Sequence, residues 1–173
     1  MTDEQRIQFI GRILALPRGD KAALERFYGG LPEDADPNTS FILHEALPFT
    51  GVFDAGNRTA TCTAFFIATY IGKTRQKNAK GSAPEELVGD YYRKCSDSGK
   101  RFVKRLFEVD RDREFYRELA HVIGLAAKDR PVDLLRLFRD VETWFGANGK
   151  SRKTTDVQRR WIDTITAEEG EKK

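Results

Sequence analysis

Residues Pro131 to Phe145 read PVDLLRLFRDVETWF, and the spacing of their apolar side chains predicts an α-helix. Asp133 can cap its first turn and Gly146 can end it, so the stretch carries boundary signals as well as a period. Most of the remaining positions are charged or polar, which gives the helix one buried face and one exposed face. The apolar residues that recur at intervals of three and four are Leu134, Leu137, Phe138, Val141, Trp144 and Phe145.

The same helical period recurs along the rest of the chain, and no segment has the alternation typical of a β-strand. The sequence therefore predicts an all-α fold, a compact bundle of about eight to nine helices. We expect one all-helical domain over residues 1–173, with two small lobes (1–95 and 96–166) as the alternative and a frayed tail at 167–173. The polar, basic stretch from Lys73 to Pro84 is predicted to be a mobile loop.

Composition favours a folded protein that is neither secreted nor embedded in a membrane. The chain has 173 residues and a hydrophobic fraction of 39%, enough for a packed core. The charged start of the chain has no signal-peptide pattern, so we expect a cytoplasmic protein with no membrane partner. The apolar run from Ala60 to Ile71 is interrupted by threonines and is shorter than the ~20 residues that span a bilayer. It is predicted to be a buried helix.

Positive charge is clustered, although the net charge is only +3. Between residues 73 and 105 there are ten lysines and arginines against four acidic residues, and between 150 and 160 there are five against one. Such clustering is typical of nucleic-acid binding. A charged face is also often merely solvated, so the alternative is a protein-only helical adaptor of a larger assembly.

Two short motifs suggest enzymes, but neither has the required spacing. Gly72-Lys73-Thr74 resembles the end of a phosphate-binding P-loop, yet the glycine that this motif needs five residues earlier is replaced by Ile67. His44-Glu45 lacks the second histidine of a zinc protease, since Pro48 stands there. The sequence therefore argues against an NTPase and a zincin.

The remaining candidates for chemistry are isolated residues. Asp110 and Asp112 could hold a divalent metal in a small nuclease, which would cleave with magnesium, but no third ligand is evident and helix capping is the favoured interpretation. His121 has no partnered nucleophile. Cys62 and Cys95 lack metal-ligand spacing and are predicted to be buried thiols. We expect no catalytic residue, no metal and no cofactor.

Three aromatic residues near the C-terminus could belong either to a nucleic-acid site or to the core. Trp144, Phe145 and Trp161 could stack on bases, as aromatic residues do in single-strand binders. Their helical spacing with leucines instead favours a place in the core. We therefore predict that they are structural.

Several of these stretches together resemble one known family. They are Lys100-Arg101-Phe102, Leu106 to Asp112, Val132 to Leu137, Trp144-Phe145, and Val157 to Trp161. They resemble the CasB family, the small subunit of Cascade, the type I-E CRISPR surveillance complex of bacteria. Upstream, Asn57-Arg58 and the helix that ends at Gly72-Lys73 also fit its layout. The sequence departs from the pattern at Phe102, where another cation is expected, and in a long link from Gly146 to Thr155.

The resemblance implies an all-helical, bilobed subunit without enzymatic activity, present as two copies packed head to tail. Its implied partners are the backbone and large subunits of Cascade, the crRNA, the target DNA and a second copy of itself. Its basic surface would lie along the displaced DNA strand and the duplex of crRNA and target. The implied function is stabilisation of the R-loop in antiviral defence.

The family resemblance and the clustering of positive charge each suggest candidate phosphate contacts. Four of them, Arg58, Lys100, Arg101 and Arg111, stand at positions that match the family. The others depend on charge clustering alone: Lys73, Arg75, Lys77, Arg105, Arg152, Lys153, Arg159 and Arg160.

Overall fold

A computed structural model describes residues 1–47, 57–148 and 155–167, and in these ranges the chain is built from α-helices. The all-α prediction is confirmed, since this part of the chain holds no β-strand and only an isolated bridge between Ser82 and Val132. A single 3₁₀ turn lies at Pro32–Asp34. The α-helices are α1 (Asp3–Leu14), α2 (Arg18–Glu25), α3 (Pro37–Ala46), α4 (Arg58–Thr74), α5 (Pro84–Lys94), α6 (Asp97–Leu106), α7 (Asp112–Ala126), α8 (Leu134–Asn148) and α9 (Asp156–Thr166).

Helix α4 lies at the centre of the protein. Every residue from Ala60 to Gly72 is buried, as expected for a helix that is apolar on all sides and surrounded by neighbours. Gly72 lets α2 approach closely, because a Cβ atom there would lie 2.6 Å from the carbonyl oxygen of Lys21. The buried-helix prediction is therefore confirmed. Within the described ranges, no helix combines the length and apolar composition needed to cross a bilayer.

One hydrophobic core joins early and late parts of the sequence. Phe9 of α1 meets Phe138 of α8 edge-on, with ring centroids 6.2 Å apart. Trp144 of α8 meets Trp161 of α9 at 5.3 Å, and neither indole is exposed, which confirms the prediction that both belong to the core. Residues 1–95 and 96–166 contribute to the same core. The division of the chain into one domain or two lobes stays a prediction.

Helix α8 covers the stretch quoted first from Leu134 onward; it begins at the predicted N-cap but ends later than predicted. The Asp133 carboxylate accepts a hydrogen bond of 3.0 Å from the backbone N–H of Arg136, as an N-cap does. The prediction that Gly146 ends the helix is wrong, since α8 continues to Asn148. Gly146 does not have the positive φ through which glycine usually ends a helix.

The segment between α4 and α5, predicted to be a mobile loop, is non-helical in the structure and forms hydrogen bonds with the start of α8. The Gln76 side chain donates to the carbonyl oxygen of Val132 at 2.7 Å and accepts from the N–H of the same residue at 3.0 Å. The Ser82 N–H donates to the carbonyl oxygen of Pro131 at 2.9 Å. These contacts hold the lysines and arginines of this segment in place relative to α8.

Candidate nucleic-acid interface

Helix α7 carries a row of exposed side chains, most of them basic, along its outer face. The row, called the α7 stripe below, repeats mostly every four residues, whereas Phe115, Leu119 and Val122 face the core. At 1.5 Å per residue the helix extends over about 20 Å. The exposed residues of the α7 stripe are Arg113, Arg117, His121, Leu125 and, just beyond the helix end, Lys128.

Helix α6 adds an arginine to the middle of the α7 stripe. Arg105 Nε of α6 and Arg117 Nη2 of α7 lie 3.3 Å and 3.8 Å from the same oxygen, Oε1 of Glu118. The Glu118 side chain is 9% exposed, whereas the two arginine side chains are 52% and 58% exposed. One buried carboxylate thus holds two guanidinium groups at the surface, and the arrangement keeps a net positive charge.

The other two predicted cations of α6 point in different directions. Lys100 lies on the α5 side, with Nζ 5.6 Å from the ring centroid of Tyr92. Arg101 is exposed on the outermost face of α6, opposite the buried Val103 and Leu106. Among the described residues no carboxylate forms an ion pair with Arg101. Its charge is therefore available to an external anion.

Arg58 and Arg111 stand at the N-terminal ends of α4 and α7, where Arg58 pairs with Asp112, the residue that follows Arg111. Arg111 is exposed, and in the part of the chain that the structure describes it has no carboxylate partner. Arg58 Nη2 lies 2.6 Å from both Glu33 Oε1 and Asp112 Oδ2. The hydrogen bond from Arg58 lowers the pKa of Glu33 below its ordinary value of 4.5. The charge of Arg58 is thus already compensated inside the protein.

The alternative metal pair, Asp110 and Asp112, has a different arrangement. Asp112 pairs with Arg58, and its Oδ1 accepts the backbone N–H of Arg113 at 2.8 Å, while Asp110 is exposed. Over residues 1–47, 57–148 and 155–167 there is no group of three or more metal-ligating side chains. Asp112 therefore acts at the start of α7 as an ion-pair partner.

Three predicted cations lie at the other end of α4. Lys73 Nζ and Arg75 Nη2 approach the Glu25 carboxylate of α2 at 3.3 Å and 3.7 Å. Lys77 is exposed and has no ion pair with a described residue. Lys73 also lines a groove together with Lys128, between the C-terminal ends of α4 and α7. The fold therefore brings Lys73 to the end of the α7 stripe, although the two residues are far apart in sequence.

The second predicted basic cluster consists of Arg152, Lys153, Arg159 and Arg160. Arg152 and Lys153 lie outside the described residues. Arg159 Nη1 is 3.2 Å from the exposed carboxylate of Asp156. Arg160 bonds to two buried carboxylates: its Nη2 contacts Asp140, and its Nε lies 3.3 Å from Glu85 Oε1.

Arg160 therefore joins three helices, since Asp140 belongs to α8 and Glu85 to α5. Asp140 Oδ2 also accepts the indole N–H of Trp161 at 2.8 Å, and Arg136 provides Glu85 with a second guanidinium group. Helix α9 packs against α5 and α8. The structure thus uses Arg160 to hold α9 against α5 and α8.

Sequence reasoning missed Arg113, Arg117 and Lys128. A count of charged residues along the sequence does not reveal Arg113 and Arg117, because acidic residues alternate with them and the α7 segment is nearly neutral. The signal that could have found them is spacing: Arg113, Arg117 and His121 follow each other at intervals of four, on the face opposite the apolar stripe.

Comparisons with known proteins agree with this all-helical fold. A family model described as CRISPR-associated protein Cse2 matches residues 20–164. Among solved structures, a chain of a CRISPR RNA-guided surveillance complex is similar with a TM-score of 0.64 at 17% sequence identity. The match covers 94% of this chain and 89% of that chain, and at this identity it shows a shared fold. No curated protein sequence matches the chain significantly.

Proposed function

The chain belongs to the CRISPR-associated Cse2 family, and from this premise we propose that it is the small, non-catalytic subunit of a type I-E Cascade complex. It binds the nucleic-acid backbone and stabilises the R-loop, both the displaced strand and the duplex of crRNA and target, in antiviral defence. Its partners are the backbone and large subunits, crRNA, target DNA and a second copy of itself, in the cytoplasm.

The observation that carries the proposal is the α7 stripe with the paired guanidinium groups of Arg105 and Arg117. Both groups are half-exposed and are held at the surface by Glu118. Phosphates follow each other every 3.4 Å along one strand of a duplex, so a helix of about 20 Å faces about six of them. Cations at fixed positions on a rigid helix suit contacts that depend on phosphate position and not on base identity.

The energetics of R-loop formation fit such contacts. Replacing a DNA duplex with an RNA–DNA duplex is a nearly balanced exchange, so modest binding of the backbone can shift it. Each neutralised phosphate releases bound counterions, which makes the contribution independent of sequence and sensitive to salt. A subunit of this kind needs no catalytic group.

The predicted cations differ in how available their charge is. Arg101, Arg105 and Arg111, together with Lys73 at the end of the α7 stripe, are the strongest candidates for phosphate contacts. Arg58 and Arg160 are bound by two carboxylates each, so they have less charge to offer. The remaining predicted contacts stay predictions: Arg75, Lys77, Lys100, Arg152, Lys153 and Arg159.

The test is a salt titration of binding to single-stranded oligonucleotides, with the purified chain and with the complex assembled around it. Arg101→Ala should weaken binding to all sequences about equally and reduce the slope of log K against log salt by about 0.7. Arg12→Ala is the matched control, because Arg12 is exposed on α1, away from the α7 stripe. The control should leave both affinity and slope unchanged.

Each alternative predicts a different result. If the chain is a protein-only adaptor, the purified chain would form no complex with the oligonucleotide at low salt, and Arg101→Ala would leave binding by the assembled complex unchanged. A nuclease using Asp110 and Asp112 would cleave the oligonucleotide when magnesium is added. A loss confined to one target sequence in Arg101→Ala would exclude phosphate contact as the mechanism.

A further inference from the structure

An aromatic side chain is exposed in the middle of the basic surface. Phe102 of α6, which stands where the family resemblance leads us to expect a cation, is 40% exposed. Val103 and Leu106, the neighbouring apolar residues of the same helix, are buried. Phe102 therefore lies at the edge of the buried face, where part of its ring remains open to solvent.

The ring of Phe102 is held by a residue of the α7 stripe. Its centroid lies 4.6 Å from that of the His121 imidazole, and the two planes are inclined by 57°. His121 is exposed as well, and Leu125, one turn further along α7, is 41% exposed. The result is a small apolar and aromatic surface that bridges α6 and α7.

Cations surround this surface. Arg105 is three residues after Phe102, Arg117 is four residues before His121, and both guanidinium groups meet at Glu118. Arg101 adds an exposed guanidinium group without an ion-pair partner among the described residues. Three arginines thus accompany one buried carboxylate around two exposed rings.

We propose that the Phe102–His121 ring pair stacks on one unpaired base of a single-stranded nucleic acid, while Arg101, Arg105 and Arg117 bind the phosphates on either side of it. The inference rests on the proposed function and adds to it a contact with a base. Aromatic stacking tolerates any sequence, because every base has a π-face. The contact thus selects single strands over duplexes without reading sequence.

Two features favour a base over an apolar protein partner. The patch is small and has arginines beside it on α6 and α7, which attract a polyanion and repel a basic surface, and burying them under a purely apolar partner would cost desolvation free energy. Its rings come from side chains on the outer faces of two helices, so they can reach a base that has left its stack but not one inside a duplex. A displaced strand offers such bases next to phosphates.

The experiment compares two probes that have the same number of phosphates, an oligothymidine and an abasic oligomer of equal length. Phe102→Leu keeps apolar area but removes the aromatic face. It should weaken binding to oligothymidine by about fivefold or more and leave binding to the abasic oligomer and the salt slope unchanged. Phe102→Trp should restore or strengthen oligothymidine binding. Phe41→Leu, at an aromatic residue that is 64% exposed on α3, should change nothing.

Other outcomes would overturn the inference. Equal losses on both probes, or no loss on either, would mean that Phe102 does not stack on bases, while salt-dependent binding would leave the proposed function standing. If Phe102→Leu impaired assembly with partner subunits but not oligonucleotide binding, Phe102 would dock a protein. If the wild-type chain and its complex bound neither probe, the proposed function would fail together with the inference. Thermal denaturation of each variant shows that it is folded.

Discussion

Two parts of the molecule use the same pair of residue types in opposite ways. On the α6–α7 surface, Arg105 and Arg117 share the single carboxylate of Glu118 and remain half-exposed. Where α5, α8 and α9 meet, Arg160 binds Glu85 and Asp140, whose side chains are only 2% and 6% exposed. The first arrangement leaves positive charge at the surface, whereas in the second the two carboxylates compensate the charge of Arg160.

The difference shows that a run of basic residues in a sequence does not reveal what those residues bind. A buried carboxylate without a partner costs several kcal/mol, so an arginine that satisfies one is held by the folded state itself. Glu118 is buried as well, but it has two arginine partners, so one arginine can turn to a phosphate while the other still satisfies the carboxylate. The following variants test this contrast.

The largest effect is expected for Arg160→Ala. Removing the guanidinium group leaves Asp140, among the residues that the structure describes, with the Trp161 indole as its one side-chain donor. We expect the free energy of unfolding to fall by about 2–3 kcal/mol, less than for a fully buried pair because Arg160 is half-exposed. Arg159→Ala, at the preceding residue of the same helix, removes a pair with the fully exposed Asp156 and should lower the free energy of unfolding much less. Urea denaturation measures both, and equal midpoints would contradict the contrast.

A second pair of variants is compared both in stability and in the salt dependence of nucleic-acid binding. Arg117→Ala on the α7 stripe should leave the unfolding midpoint nearly unchanged and reduce the salt slope of oligonucleotide binding by about 0.7. Arg136→Ala, which removes one of the two donors to Glu85, should do the reverse: a lower unfolding midpoint with an unchanged slope. If Arg136→Ala flattened the slope and Arg117→Ala did not, the α7 stripe would be the wrong surface.

A smaller effect is expected for Glu118→Gln. The change removes the negative charge beneath Arg105 and Arg117 but keeps a side chain of the same size. Two unit charges 4 Å apart interact by about 1 kcal/mol in water, so single-strand affinity at low salt should rise by up to about fivefold. Screening should remove most of this gain at high salt. A lower affinity would mean that Glu118 matters mainly for positioning the two arginines.

The smallest effect concerns acid titration at the N-terminal ends of α4 and α7. Arg58 lowers the pKa of Glu33, and Arg113 lowers that of Asp34, from ordinary values of 4.5 and 3.8. Because both pKa values are lowered, the ion pairs stabilise the protein above the ordinary values and lose this contribution as the pH falls through the lowered ones. In Arg58→Ala the pKa of Glu33 should rise towards 4.5, whereas that of Asp34 should stay low. Carboxyl-carbon NMR titration measures both, and a parallel rise would show that the two pairs are not independent.

Prediction from sequence succeeded where the signal was local and periodic. The helix that contains Trp144 and the buried helix around Phe66 were predicted from apolar spacing, because side chains three and four residues apart share a face. The polar composition around Gln76 indicates a loop but gives no sign of its hydrogen bonds to Val132, because that residue is far away in sequence. In the sequence Phe102 is a departure from a family pattern and no more, because its contact with His121 depends on the packing of α6 on α7.

The amino-acid sequence by itself determined the helices, the side of each that is buried and the family to which the chain belongs, because these depend on residues close together along the chain. Only the tertiary structure decided which arginines keep their charge free. Arg160 meets Glu85 and Arg105 meets Glu118 through helix packing, and an ion pair forms where folding places two charges within a few ångströms, whatever their separation in sequence.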